Sequence, residues 1–121
     1  MALRILVVED DEPLLGFYRE ALGDLGHEVT IARNGAEGLA RLRPEHGLII
    51  TDIGMPVMSG DEMVRELRQR AEHRSTPVLV LTARREPLEP LAADAATVIM
   101  RKPFPLERFL DHVEEAARAK R

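Results

Sequence analysis

The chain has 121 residues, 45% hydrophobic and 31% charged, with 8 Gly and 8 Pro, which is the composition of one ordinary globular domain with a single core. Seventeen basic against 21 acidic residues leave a net charge of -4, and no basic patch accompanies the four aromatics (Phe17, Tyr18, Phe104, Phe109), so a nucleic-acid surface is not expected. Zero cysteines exclude disulfides and thiol chemistry, no apolar run approaches the ~20 residues of a membrane span, and Met1 to Arg4 lead directly into the first such run without a signal peptide, so the expected location is cytoplasmic.

The first element is Ile5-Leu6-Val7-Val8, a short, wholly apolar, β-branched run that suits a strand buried on both faces. Glu9-Asp10-Asp11 follow it. A first helix is predicted to start near Asp11, with Glu12 and Pro13 in its opening turn, and to stop at Gly26, with Leu14, Tyr18, Leu22 and Leu25 on one face. His27 to Ala32 reads as a weaker strand. A short second helix takes Asn34 as its cap and carries Ala36, Leu39, Ala40 and Leu42 before Pro44. Leu48-Ile49-Ile50 is a third strand, followed by Thr51-Asp52. Ser59-Gly60-Asp61-Glu62 is a capping box opening a helix with Met63, Val64 and Leu67 at helical spacing. Val78-Leu79-Val80-Leu81 is the fourth strand and ends on Thr82-Ala83. Pro87 and Pro90 then interrupt the chain, so any helix between Arg84 and Ala96 begins after Pro90 and is short or irregular. Thr97 to Met100 is a weaker fifth strand before Arg101-Lys102-Pro103. Pro105 is predicted to open a last helix with Leu106, Phe109, Leu110, Val113 and Ala117 on one side; it is expected to run to Lys120, so no DNA-binding module is expected within these residues. The alternation predicts an α/β domain of (βα)5 type over residues 1–121, a parallel sheet with helices on both faces.

In open parallel sheets, ligands bind beyond the carboxyl ends of the strands. There the sequence places Glu9, Asp10 and Asp11, then Asp52, Thr82 and Lys102. Two carboxylates about 4 Å apart repel by roughly 4 kcal/mol at an effective dielectric of 20, so the cluster calls for a cation. An all-oxygen, incomplete cage points to Mg²⁺, which keeps several waters and pairs with substrate phosphate. A carboxylate beside Mg²⁺, with an ammonium and a hydroxyl in reach, is equipped for phosphoryl transfer: Asp52 as nucleophile, Lys102 and Thr82 neutralising and holding the phosphoryl oxygens.

Four segments in this order, Ile5 to Asp11, Leu48 to Pro56 with Gly60, Val78 to Ala83, and Lys102-Pro103-Phe104, resemble the receiver domain of bacterial two-component response regulators, and the likeness spans the whole chain. The resemblance implies the flavodoxin-like strand order 2-1-3-4-5. It makes Asp52 the phospho-acceptor and gives Mg²⁺ directly to Asp10 and Asp52, to Glu9 through water and to the backbone carbonyl of Gly54. It assigns the phosphoryl oxygens to Thr82 and Lys102 and a cis bond to Lys102-Pro103. The implied partner is a histidine kinase or histidine phosphotransfer protein that supplies the phosphoryl group from phosphohistidine, with new charge shifting a conformational equilibrium. Gly54 and Arg84, flanking the site, are expected to tune how long the phosphate lasts.

Two departures stand out. The position three before Lys102, an aromatic in most receivers, is Ile99, and the interval from Thr82 to Lys102 is shorter than the family's. The surface built from the fourth helix, fifth strand and last helix, which many relatives use for a homodimer or for output, is therefore the least secure expectation. The chain reads either as a stand-alone receiver or as a piece of a larger regulator or hybrid kinase.

Other residues have plainer readings. His27, His46, His73 and His112 show no zinc spacing and are expected at the surface. Ser59 reads as a helix cap rather than a nucleophile, Asp11 as the cap of the first helix, and Met55, Met58, Met63 and Met100 as filling. Two rival functions remain: a Mg²⁺-dependent aspartyl phosphatase, which ordinarily needs a second acid where Gly54 stands, and a receiver-fold binding module that is never phosphorylated.

Overall fold

Period-two alternation divides the core of the computed structural model, which describes residues 2–119, into two layers. Five strands, β1 (Arg4–Val8), β2 (Glu28–Ala32), β3 (Leu48–Thr51), β4 (Val78–Thr82) and β5 (Thr97–Arg101), alternate with helices α1 (Glu12–Asp24), α2 (Gly35–Arg41), α3 (Gly60–Leu67) and α4 (Leu106–Ala119). All pairs are parallel, in the order β2-β1-β3-β4-β5, as the resemblance implies. Ile5, Val7, Ile50, Leu79 and Leu81 point to one face and pack with Leu15, Tyr18 and Leu22 of α1 and Phe109 and Val113 of α4. Leu6, Val8, Ile49, Val78 and Val80 point to the other and meet Met63, Val64 and Leu67 of α3. Burial on both faces is why these strands read as unbroken apolar runs.

The helix starts follow their caps. Asp11 Oδ1 accepts the Leu14 N–H at 3.3 Å and Asn34 Oδ1 the Glu37 N–H at 2.9 Å. Ser59 Oγ accepts from Glu62 N–H at 3.4 Å while donating to Glu62 Oε1 at 3.1 Å. Gly26, at φ 88°, ends the turn after α1, a conformation that costs glycine nothing.

Two expectations need correction. Leu25 and Leu106 are exposed, and Leu15, not in the anticipated stripe, is buried instead. His46 and His73 are buried rather than at the surface, because main-chain and hydroxyl partners satisfy their ring nitrogens. The fourth crossover is short and irregular after Pro90, as expected: a single 3₁₀ turn at Leu91–Ala93 and the buried side chains of Leu88 and Leu91 cover that part of the sheet. Arg68, at the end of α3, fixes this segment by donating to Asp94 Oδ2 at 2.8 Å and to the carbonyls of His73 and Thr76 at 2.9 and 2.7 Å. The anticipated extension of the last helix to Lys120 lies outside the described residues. Among the described residues no helix is long and apolar enough to cross a membrane.

Candidate functional site

The ladder carries β1, β3, β4 and β5 to a common edge: Val8 lies opposite Thr51, Thr51 opposite Val80, and Thr82 opposite Arg101. The main chain continues the pairing one step further, with Asp52 N–H donating to the Val8 carbonyl at 3.2 Å and Lys102 N–H to that of Thr82 at 2.8 Å. The residues just beyond the strands are therefore held in fixed positions although each is already in a loop. Glu9, Asp10 and Asp52 each present a carboxylate oxygen within 4.8 Å of the others. Lys102 Nζ lies 3.6 Å from Asp52 Oδ2 and 3.8 Å from Glu9 Oε1, and the Lys102-Pro103 bond is cis, as expected.

The two oxygens of Asp52 differ. Oδ1 accepts the Ile53 N–H at 2.6 Å, whereas Oδ2 faces the lysine. Glu9 is buried, with Oε2 accepting the Asp11 N–H at 3.1 Å. Burial pushes its carboxyl above the ordinary value and the nearby Asp52 charge adds to this, while the Asp11 N–H and Lys102 oppose it. Three acceptor-only groups facing one ammonium are short of positive charge, so the donor set fits a hard divalent cation such as Mg²⁺. Thr82 is buried, and its Oγ1 accepts the Arg84 N–H at 3.1 Å, which leaves the hydroxyl proton free to donate elsewhere. Gly54 is exposed, with nothing within 4 Å of where a side chain would stand. Ile99 is half-buried against the layer formed with α3, so the position that usually carries an aromatic is filled by packing.

The chain is matched by the profile of the response regulator receiver domain over residues 5–114. It belongs to the receiver domain family of response regulators. The receiver is 38% identical over 111 residues to the two-component response regulator PhoP of Pseudomonas aeruginosa, covering 88% of this chain and 48% of that protein. It is 39% identical over 115 residues to the response regulator MprA of a Mycobacterium species, covering 91% and 48%. The chain thus spans about half the length of the curated relatives it matches. Among solved structures, the chemotaxis response regulator CheY4 of Vibrio cholerae superimposes with TM-score 0.82 at 32% identity, over 96% of this chain and 99% of that one. The response regulator TrrA of Thermotoga maritima, solved in complex with Mg²⁺ and BeF, superimposes with TM-score 0.80 at 29% identity, over 94% and 98%.

Two residues quoted in the sequence reading without a role, Thr51 and Gly60, touch the backbone of Asp52. Thr51 is buried and donates from Oγ1 to the Asp52 carbonyl at 2.7 Å. A Cβ on Gly60 would overlap that same carbonyl and stand 3.0 Å from Thr51 Oγ1, so α3 starts in direct contact with the backbone of Asp52. The signal was a glycine in the first turn of a helix, where a better helix former is expected. The loop between them is strained: Val57, β-branched and 84% exposed, sits at φ 69° with Met58 N–H bonded to the Pro56 carbonyl at 2.7 Å, a tight γ-turn.

Proposed function

We propose that this receiver is a phosphorylation-dependent switch in which Asp52 accepts a phosphoryl group from a phosphohistidine on a histidine kinase or phosphotransfer protein. The observation that carries this reading is the convergence of Glu9, Asp10 and Asp52 within 4.8 Å, with Lys102 Nζ 3.6 Å from Asp52 Oδ2. An Asp52 carboxylate oxygen forms the bond to phosphorus as the phosphorus–nitrogen bond breaks, and the departing imidazole takes up a proton. The Ile53 N–H holds Oδ1 and orients the carboxylate. Lys102 and the Thr82 hydroxyl hold the phosphoryl oxygens; Asp10 and Asp52, Glu9 through water, and the Gly54 carbonyl would hold Mg²⁺, which when bound offsets the negative charge of the incoming group. The same residues support loss of the phosphate by hydrolysis, and Gly54 and Arg84, which flank the site, set its lifetime. The donor is a protein, and an apolar cleft of about 330 Å³ beside Lys102, lined by Leu14, Phe17, Tyr18, Pro103, Phe104 and Leu106, offers it a contact surface. The whole chain acts as one switching unit, and this reading places it in the cytoplasm.

Incubation with Mg²⁺ and acetyl phosphate, read by intact mass, tests the proposal. One phosphate adduct is expected, absent in Asp52→Asn and lost on chelation of the metal. Sustained turnover of the donor without an adduct identifies a phosphatase, and no reaction in folded wild-type protein identifies a silent binding module. Mg²⁺ at ten times its dissociation constant is expected to raise the free energy of unfolding by about 1.4 kcal/mol, an increment that Asp10→Asn abolishes.

A further inference from the structure

At the end of the sheet opposite the carboxylate cluster, the loop between α2 and β3 meets the segment that leads into β4. Two buried histidines join them through one residue. Arg43 donates its N–H to His46 Nδ1 at 2.9 Å, and its carbonyl accepts from His73 Nε2 at 2.9 Å and from the His46 main-chain N–H at 3.1 Å. His46 Nε2 completes its bonding with Thr30 Oγ1 of β2 at 3.2 Å, and His73 Nδ1 pairs with Thr76 Oγ1 at 2.8 Å. His46 and His73 are 4% and 1% exposed.

These partners fix where the protons lie. A backbone N–H only donates, so His46 Nδ1 must carry a lone pair, and the ring proton must be on Nε2, directed at Thr30. A second proton on His46 would place two N–H groups head to head inside a buried contact. His73 is under no such constraint. The Thr76 hydroxyl donates to Nδ1 or, turned towards the Glu72 carbonyl at 3.4 Å, accepts from it, so the His73 bonds survive either way.

We infer that the His46–Arg43–His73 contact is a proton-sensitive clasp: it closes the end of the sheet remote from Asp52 while His46 is neutral, and it opens when His46 takes up a second proton.

The surroundings of His46 support this. Arg4 of β1, Arg41 of α2, Arg43 and His73 oppose a further positive charge, whereas Glu28 and Glu45 would favour one, and Glu28 is already paired with Arg4 at 3.4 Å. Burial, with His73 and Arg4 adding to it, pushes the His46 ring below its ordinary value. The unfolded chain therefore takes up the proton first, and stability is complete above about pH 6.5 and falls as pH drops through that value. His27 has a related but more open arrangement, its Nδ1 accepting the Leu3 N–H at 3.0 Å beside Asp111, Glu114 and Arg118 of α4.

The clasp is tested by urea unfolding of the full chain between pH 5 and 8, for wild type, His46→Gln, His27→Gln and the double variant. Glutamine keeps an amide of similar reach in place of the imidazole and does not titrate. The folding equilibrium of wild type is expected to fall below pH 6.5 by up to tenfold per pH unit for each imidazole involved. His46→Gln removes one such factor in either His27 background. NMR of the wild-type rings provides a second reading that needs no variant: His46 neutral with its proton on Nε2 at pH 7, and a midpoint below 6.5. A slope unchanged by His46→Gln, a proton on Nδ1 at pH 7, or a midpoint at or above 6.5 overturns the inference.

Discussion

Val57 holds a backbone conformation that suits it badly. A β-branched residue in the left-handed region is out of place by roughly 1–2 kcal/mol, and with 84% exposure its side chain has little packing to offset this. Val57→Asn is expected to stabilise the protein by about 0.5–1 kcal/mol in urea unfolding, since asparagine tolerates positive φ. Gly60 is the opposite case, a position with no room for a methyl group. Gly60→Ala is expected to cost about 1–3 kcal/mol of stability through overpacking. The displaced Asp52 should also be phosphorylated by acetyl phosphate about a hundredfold more slowly, the scale set by ~1 Å misplacement of a reacting group. Asp10, Asp52 and Lys102 could be found in the sequence because each follows an apolar run, and strand ends in a parallel sheet share an edge. Thr51 and Gly60 stood in the quoted segments without a role: the Thr51 hydroxyl bonds the Asp52 carbonyl locally, and Gly60 meets that carbonyl only when α3 folds back against β3. His46 and His73 were misplaced because partners from distant segments, the Thr30 hydroxyl for His46 and the Arg43 carbonyl for His73, make their burial tolerable.

Among the elements, α1 shows the limit of periodicity. Leu14 and Leu15 are adjacent leucines, and either one continues a helical stripe through Tyr18 and Leu22; only the position of the sheet decides that Leu15 goes in. In α4, Leu106 fits the stripe by spacing but stands in the first turn, where it borders the cleft beside Lys102 rather than the core. The fourth crossover was legible in its weakness, because two prolines within four residues remove helical donors. What replaces the helix was not legible, since it depends on Arg68 reaching from α3 to Asp94 and to two carbonyls. Arg68→Met is expected to lose about 2–4 kcal/mol in urea unfolding, because it leaves a half-buried carboxylate without its cationic partner and two carbonyls without the Arg68 donor. The Asp94 carboxyl adds a pH signature. Burial pushes it up, but hydrogen bonds from Arg68, Ala96 and Thr97 outweigh that and hold it below its ordinary value. Its share of stability is therefore present above about pH 4 and lost as pH falls further, and Arg68→Met should flatten that acid limb.

Across the whole molecule, the sheet separates two chemistries: carboxylates and an amine at the carboxyl ends of the strands, imidazoles bonded to main chain at the other. Tyr18, on α1 between the sheet and α4, marks the alkaline end of this profile. Burial, followed by the charges of Glu9, Asp52 and Asp11, pushes its phenol up to about 12. The unfolded chain gives up that proton nearer pH 10, so the stabilisation is full below pH 10 and disappears as pH rises towards 12. Tyr18→Phe should flatten the alkaline limb of an unfolding curve while leaving the limb below pH 7 in place.

The meeting of Gly60 with Asp52 sets where motion can occur. The Gly60 amide also donates to the Ile53 carbonyl at 2.9 Å, so the start of α3 and the end of β3 form one stiff piece on which Asp52 is mounted. Under the proposed phosphorylation, charge gained at Asp52 is not relieved by sliding that piece. The side of the pocket left free of that contact is the one where Thr82 and Lys102 stand at the roots of loops, at the ends of β4 and β5 and beside the segment that carries a 3₁₀ turn in place of a helix.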